Sequence, residues 1–194
     1  RFKIDQEALR AYFPTDKSVL YTLKLAERLY GIKFVERKVP VWHEDVRYFD
    51  VFERVPEKNE PGKNSAGKTG AFIGGVYLDL YPRDGKYNHA AVWPIRSAST
   101  RLRRAPQAAL VVNFDRKGLN LEEVETLLHE FGHAVHNNLG TTRHSSGNVL
   151  RDFVEAPSQM LEDWVFEPRV MALMREVCAA CPRVPDELLA KAKV

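Results

Sequence analysis

The strongest constraint on the fold is one long amphipathic stretch, Leu121 to Asn138, whose apolar residues recur at three- and four-residue steps. Asn120 stands before it as an N-cap, Glu122 and Glu123 fall in its first turn, and Gly140 lies beyond its end. The pattern predicts a single helix about 27 Å long. Inside it runs Leu127-Leu-His-Glu-Phe-Gly-His-Ala-Val-His136.

The spacing of polar groups on that helix carries chemistry. His129 and His133 are four apart, which leaves them about 40° apart around the axis and one turn apart along it. Two imidazoles so placed reach one metal ion. Glu130 is rotated about 100° from His129, so its carboxylate flanks the ion rather than competing for it. This is the pattern His-Glu-x-x-His of zinc peptidases, in which the glutamate accepts a proton from a water activated by the metal. A catalytic zinc takes three protein ligands and keeps one open position. Asp152, Glu155, Glu162 and Asp163 all follow in Arg151 to Trp164, and spacing does not choose among them.

The rest of the chain alternates in texture. Residues 1–31 are helical, with Leu20, Leu23, Leu25, Ala26, Leu29 and Tyr30 at helical steps, Thr15 or Asp16 as the cap, and Gly31 at the stop. Residues 32–115 are β-rich. Phe49, Val51 and Val55 alternate with Tyr48, Asp50 and Arg54; Val76, Leu78 and Leu80 alternate with Tyr77, Asp79 and Tyr81 up to Pro82. The apolar run Ala108 to Phe114 suits a strand buried on both faces. Residues 116–194 return to helix, and the segment from Asp152 to Met174 is kinked or split by Pro157 and Pro168.

Composition excludes more than it identifies. Apolar residues make up 44% and charged residues 28%, which fits a folded domain and not a disordered chain. The net charge of +3 is too small to argue for nucleic acid, and no apolar run is long enough for a membrane span. With two cysteines and no secretory leader at its start, the chain is expected in the cytoplasm.

His129-Glu-Phe-Gly-His133 followed by Asp152-Phe-Val-Glu-Ala-Pro-Ser-Gln159 resembles the thimet oligopeptidase family of zinc metallopeptidases. Tyr12-Phe-Pro, Pro40-Val-Trp-His-Glu-Asp-Val46, Tyr77 to Tyr87 and His89-Ala agree, so the resemblance runs from end to end. It implies a single zinc ion held by His129, His133 and Glu155, with Glu130 as catalytic base. It also implies short peptides as substrates, with neither nucleic acid nor membrane as partner. The fold expected is α+β: a helix-dominated, zincin-like catalytic core with a small antiparallel sheet near the metal-binding helix. Family members are several hundred residues long, so the 194 residues are expected to be one catalytic-core fragment. The C-terminal region where the family keeps substrate-binding tyrosines and a histidine is then missing. The expected function is a zinc oligopeptidase cutting internal bonds. The alternative is a catalytically silent fragment that needs the remainder of the enzyme.

Other residues carry weaker signals. Glu125, one turn before His129, is a candidate to accept its second N–H, with Ser158 and Gln159 as lesser ones. His136 shares the histidine face but sits about 10 Å along the axis from His129, too far to ligate the same ion. His89 is a candidate substrate contact. Gly62-Lys-Asn-Ser-Ala-Gly-Lys-Thr69 matches a phosphate-binding loop, yet such a loop needs a strand before it and a helix opening at Lys-Thr, and strand-like residues follow here. Cys178-Ala-Ala-Cys181 is a lone CxxC, read as a helix end before Pro182.

Overall fold

Two helices on one face of a twisted sheet set the frame, and the computed structural model describes residues 5–55, 68–140, 149–185 and 187–188. In chain order the elements are α1 (Gln6–Leu9), α2 (Thr15–Tyr30), β1 (Ile32–Arg37), β2 (Arg47–Val55), β3 (Lys68–Asp79), β4 (Ala91–Arg96), β5 (Gln107–Val111), α3 (Leu121–Leu139), α4 (Ala156–Glu162) and α5 (Pro168–Val177). The fold is α+β.

The strands form one sheet in the order β1-β2-β3-β5-β4. Three of its pairings are antiparallel, but β3 and β5 run parallel, with Val76 opposite Ala108 and Leu78 opposite Leu110. The sheet is therefore mixed rather than wholly antiparallel. The cause is β4, which leaves β3 for the sheet edge so that β5 returns into the vacant place between them. Alternation sets one face of the sheet as predicted. Phe49, Val51, Val76, Leu78 and Leu110 turn to the core, where they join Val124, Leu127, Leu128 and Phe131 of α3 and Val19, Leu23 and Leu25 of α2. The β5 run is central, and Ala108, Ala109 and Leu110 are all buried.

Helix ends follow local chemistry, with one departure. Asn120 and Glu123 form a reciprocal capping box on α3, while Gly31 ends α2 in the left-handed region at φ 63°. Neither Thr15 nor Asp16 caps α2. Pro14 holds the N-cap position, and Thr15 is already helical. The Thr15 hydroxyl donates instead to the Asp115 carbonyl at 2.6 Å, tying α2 to the loop between β5 and α3. The later helical segment is split as expected. Pro157 lies in the first turn of α4 and Pro168 opens α5, places where a missing N–H costs no hydrogen bond. Cys178 caps the end of α5, as the sequence implied, but it is joined to Cys181 by a disulfide. The thiol count thus lends no weight to a reducing compartment. Among the described residues no helix is long and apolar enough to cross a membrane. Residues 62–67 of the loop-like glycine motif lie outside the described residues, and Lys68 and Thr69 begin β3 rather than a helix.

Two contacts hold the walls of the region around α3. The first is helix on helix. A Cβ on Gly132 would stand 2.7 Å from the Ser158 Cα and 3.0 Å from the Pro157 carbonyl, so only glycine lets α4 lie this close to α3. The second is a buried ionic knot at the end of β3. Asp79 is 2% exposed and accepts from both Arg83 nitrogens at 2.7 and 2.8 Å and from the Trp42 indole at 2.8 Å. The Lys86 ammonium lies 2.9 Å from the same carboxylate and donates to the Tyr81 and Val112 carbonyls. The knot fixes the turn that delivers β4.

Both contacts make predictions. Gly132→Ala is expected to lower stability by about 1–3 kcal/mol through overpacking, a fall of several degrees in Tm. On an exposed helix the same change would stabilise by about 1 kcal/mol, so the sign of the Tm shift is the test. For Asp79, burial alone would raise the carboxyl, but hydrogen bonds from Arg83, Lys86 and Trp42 outweigh it and hold the pKa down at about 2. Its stabilisation is therefore present above the unfolded carboxylate value, about 3.9, and is lost as pH falls through about 2. Asp79→Asn is expected to cost about 3 kcal/mol at neutral pH by stranding Lys86. Urea midpoints measured from neutral pH down to acid should fall less steeply for the variant than for the wild type; parallel curves would mean the knot does not form.

Candidate metal centre

The α3 pitch places the two histidine rings side by side, with centroids 5.1 Å apart and planes at 79°. Glu155 arrives at the N-cap of α4, the helix that Gly132 admits. One of its carboxylate oxygens, Oε2, lies 3.2 Å from His129 Nε2 and 3.1 Å from His133 Nε2. The ligand atoms of His129, His133 and Glu155 all fall within 4.8 Å of one another, and among the described residues no other group of three has this property. Asp152, Glu162 and Asp163, which spacing left open beside Glu155, are not in it.

Local forces prepare each group for a cation. Burial pushes the His133 pKa down, favouring the neutral imidazole that a metal requires. Burial opposes the charge on Glu155, yet the Ser158 hydroxyl at 3.0 Å and the two histidines hold its carboxyl below the usual range. The same hydroxyl also lies 2.8 Å from the Glu155 carbonyl, so its single hydrogen is shared between the two oxygens of that residue. The three ligand atoms thus converge closely enough to share one divalent cation. The donor set of two nitrogens and one oxygen fits zinc with an open position.

Glu130 lies beside this cluster and is 8% exposed. Burial raises its carboxyl above the ordinary range, with the nearby Glu155 charge adding to the effect and His129 opposing it. Glu130, both histidines, His136 and Glu155 line a cleft of about 500 Å³, whose other side is built by Ala91, Val92 and Pro94 of β4. His136 thus faces the cleft without belonging to the donor set. His89 does not line it; its ring packs against Tyr87 at 5.6 Å, and the lining begins at Ala90.

The second nitrogen of His129 is served by an unexpected residue. His129 Nδ1 lies 2.7 Å from Glu162 Oε2, at the far end of α4. Glu125 does not take that bond. It is half-buried, and burial together with Glu162 and other carboxylates raises its pKa. The signal for Glu162 was present in the sequence: it is seven residues after Glu155, two helical turns, and so on the same face. Ser158 does not take that bond either, since its hydroxyl is directed at Glu155, and Gln159 is exposed.

Comparison with known proteins places the chain in a family. The chain matches Peptidase family M3 over residues 1–193. It is 38% identical to oligopeptidase A of Escherichia coli, covering 98% of this chain and 28% of that protein. Saccharolysin of Saccharomyces cerevisiae is 34% identical over 97% of this chain and 27% of its own length. Dipeptidyl carboxypeptidase of Escherichia coli is 32% identical over 98% and 28%. The chain therefore spans little more than a quarter of the length of these curated relatives. With a profile match from end to end and the helix that bears His129 and His133 at its centre, the chain belongs to Peptidase family M3.

Proposed function

We propose that the chain carries the catalytic centre of a zinc-dependent oligopeptidase that hydrolyses internal bonds of short peptides. The observation that supports this most is the convergence of His129, His133 and Glu155 within ligand distance, with the buried Glu130 beside them in an open cleft. His129, His133 and Glu155 would hold the ion. When bound, zinc supplies Lewis acidity, making water nucleophilic near neutral pH and polarising a peptide carbonyl.

The remaining steps belong to the protein. Glu130, raised by burial, takes the proton of the attacking water and passes it to the leaving amine. Burial of this base in a cleft wall keeps it from competing as a ligand. β4 is the terminal strand of the sheet and lines the cleft, so its free edge can receive an extended peptide by main-chain pairing. A peptide so aligned lies across the histidine face of α3. The printed names of the relatives, oligopeptidase and dipeptidyl carboxypeptidase, support peptides as the substrate class.

A second reading has one specific observation behind it. Because the chain covers 27–28% of its relatives, the metal centre could be complete while catalysis needs the remaining length. In that reading the chain binds zinc and is silent by itself. Zinc content and hydrolysis of a quenched-fluorescent peptide, measured on this chain and on a chain of family length, separate the two. Turnover by this chain supports the enzyme reading; zinc without turnover, restored by the longer chain, supports the silent one.

Two substitutions test the roles. Glu130→Gln is expected to retain one zinc per chain and to lose about 10²–10⁴-fold in kcat in any active form; an active variant would place the base elsewhere. Glu155→Ala is expected to lose zinc on dialysis against a chelator that leaves the wild type loaded. Unchanged stoichiometry would require a different third ligand.

A further inference from the structure

We infer that the connection between β4 and β5 is a specificity arm, in which Arg96, Arg101, Arg103 and Arg104 select peptides that carry acidic side chains away from the bond to be cut. The inference rests on the peptidase reading above and deepens it by naming a substrate class. Charge carries the first part of the argument. Elsewhere Arg10, Arg28, Arg37, Arg47, Arg83 and Arg116 each meet a carboxylate. Among the described residues no carboxylate pairs with the arginines of the arm, all of which are exposed. Arg96 and Arg104 commit one N–H each to the protein, their Nε atoms donating to the Ala105 and Ser97 carbonyls at 3.1 and 2.9 Å. These bonds tie the two side chains across the arm and leave the terminal N–H groups of each guanidinium for a ligand.

Position supplies the second part. Ser97 lines the metal cleft, while the next residue, Ala98, lines a second cleft of about 550 Å³ that Arg103 and Arg104 also line. Glu53 is in that second lining too, and pairs with neither arginine. The end of α3 is divided the same way, with Asn137 in the first lining and Asn138 in the second. Successive residues of two elements thus separate the clefts, so a peptide lying along β4 runs from the histidines toward the arginines. From Val92, in the metal cleft, to Arg96 is four strand residues, about 13 Å. The arm therefore meets side chains several positions from the metal. The turn gives the third part. Ser99 and Arg104 exchange main-chain hydrogen bonds at 2.9 Å, and Arg103 takes the left-handed conformation at φ 47°. Glycine adopts that conformation without strain, so an arginine there keeps a cationic side chain where the turn by itself favours having none. The small net charge of +3 and the place of the arm beside a peptide cleft favour an acidic peptide over a nucleic acid.

The test measures binding of dye-labelled peptides, long enough to pair with all six residues of β4, to the zinc-loaded full chain carrying Glu130→Gln so that turnover does not consume the probe. One peptide has a Glu pair near its amino end, another has the pair near its carboxyl end, and a third has Gln at both places. One of the two Glu peptides is expected to bind about 3–10-fold more tightly than the Gln peptide at low salt, with the gain fading as salt rises. Adding Arg101→Gln and Arg103→Gly should abolish the gain and leave affinity for the Gln peptide unchanged. Neither of those side chains donates to the protein, and glycine suits φ 47°, so Tm of this arm variant should match or exceed that of its parent. Arg28→Gln with Arg37→Gln, which removes the same charge away from both clefts, should preserve the gain. Equal affinity for all three peptides, an equal gain at both ends, or a gain that survives in the arm variant overturns the inference and leaves the peptidase reading in place. Failure to load zinc, or binding of none of the three, removes the peptidase reading and the inference with it. Tighter binding of a single-stranded oligonucleotide than of either Glu peptide, lost in the arm variant, would make the partner a nucleic acid and also overturn the inference.

Discussion

The site depends on how closely α4 can lie against α3, and that approach is limited by one atom. A methyl on Gly132 would overlap the backbone at Ser158 and Pro157. Because the residue is glycine, the N-terminal end of α4 reaches the histidine face and Glu155 can meet both imidazoles. A displacement of even an ångström would take the carboxylate oxygen out of the shared position, since ligand distances tolerate only a few tenths of an ångström. The loop between the helices can vary in length at little entropic cost; the contact between them cannot vary at all. Packing, rather than connectivity, sets the donor geometry.

Around that contact the fold maintains groups that would relax if left alone. Burial favours uncharged His133 and Glu130, while Ser158 and the imidazoles keep Glu155 ionised. Ligand atoms of two imidazoles and a carboxylate are thus held together in a small space, a grouping that a bound cation would satisfy. The opposite wall is held with comparable force. Asp79, Lys86 and Arg83 are joined where β3 ends, and the turn they fix leads to β4, the strand that closes the cleft. The knot and the helix pair are separate structures, yet each controls one side of the same opening.

Much of this was legible from residue order alone, for identifiable reasons. The α3 boundaries follow from a capping box and an unbroken helical period, both local properties, and the histidine convergence follows from a four-residue step. The parallel pairing of β3 with β5 was not legible. Alternation decides which face of Val76 and Leu110 is buried but says nothing about which strand lies alongside, and β4 had to leave the row for β5 to enter it. Thr15 misled because a hydroxyl before a helix resembles a cap, whereas the tertiary fold offered it the Asp115 carbonyl. Glu162 was missed because the candidates taken from the later segment, Ser158 and Gln159, stop one turn after Glu155. The seven-residue step from Glu155 carried the information, but only once α4 was known to be a helix beside α3.

The distribution of roles along the chain would make metal retention and turnover separable properties in the proposed enzyme. Every group argued to grip or aim at the cation comes from α3 or α4: His129, His133, Glu155, Ser158 and Glu162. These helices pack on each other and on the sheet through Phe131, Leu128 and Leu161, all buried. Their geometry is thus internal to the described fold and independent of any further length. Transition-state stabilisation makes a different demand, because it needs hydrogen-bond donors aimed at the oxygen where charge develops. The cleft lining on the β4 side is apolar at Ala91, Val92 and Pro94, and proline has no N–H to give. Donors for charge on a reacting carbonyl would then come from a bound cation, from main-chain N–H groups of β4, and from polar lining residues such as His136 and Ser97. A centre built this way would hold a metal by local packing, while its rate would be set by whatever donors complete the cleft.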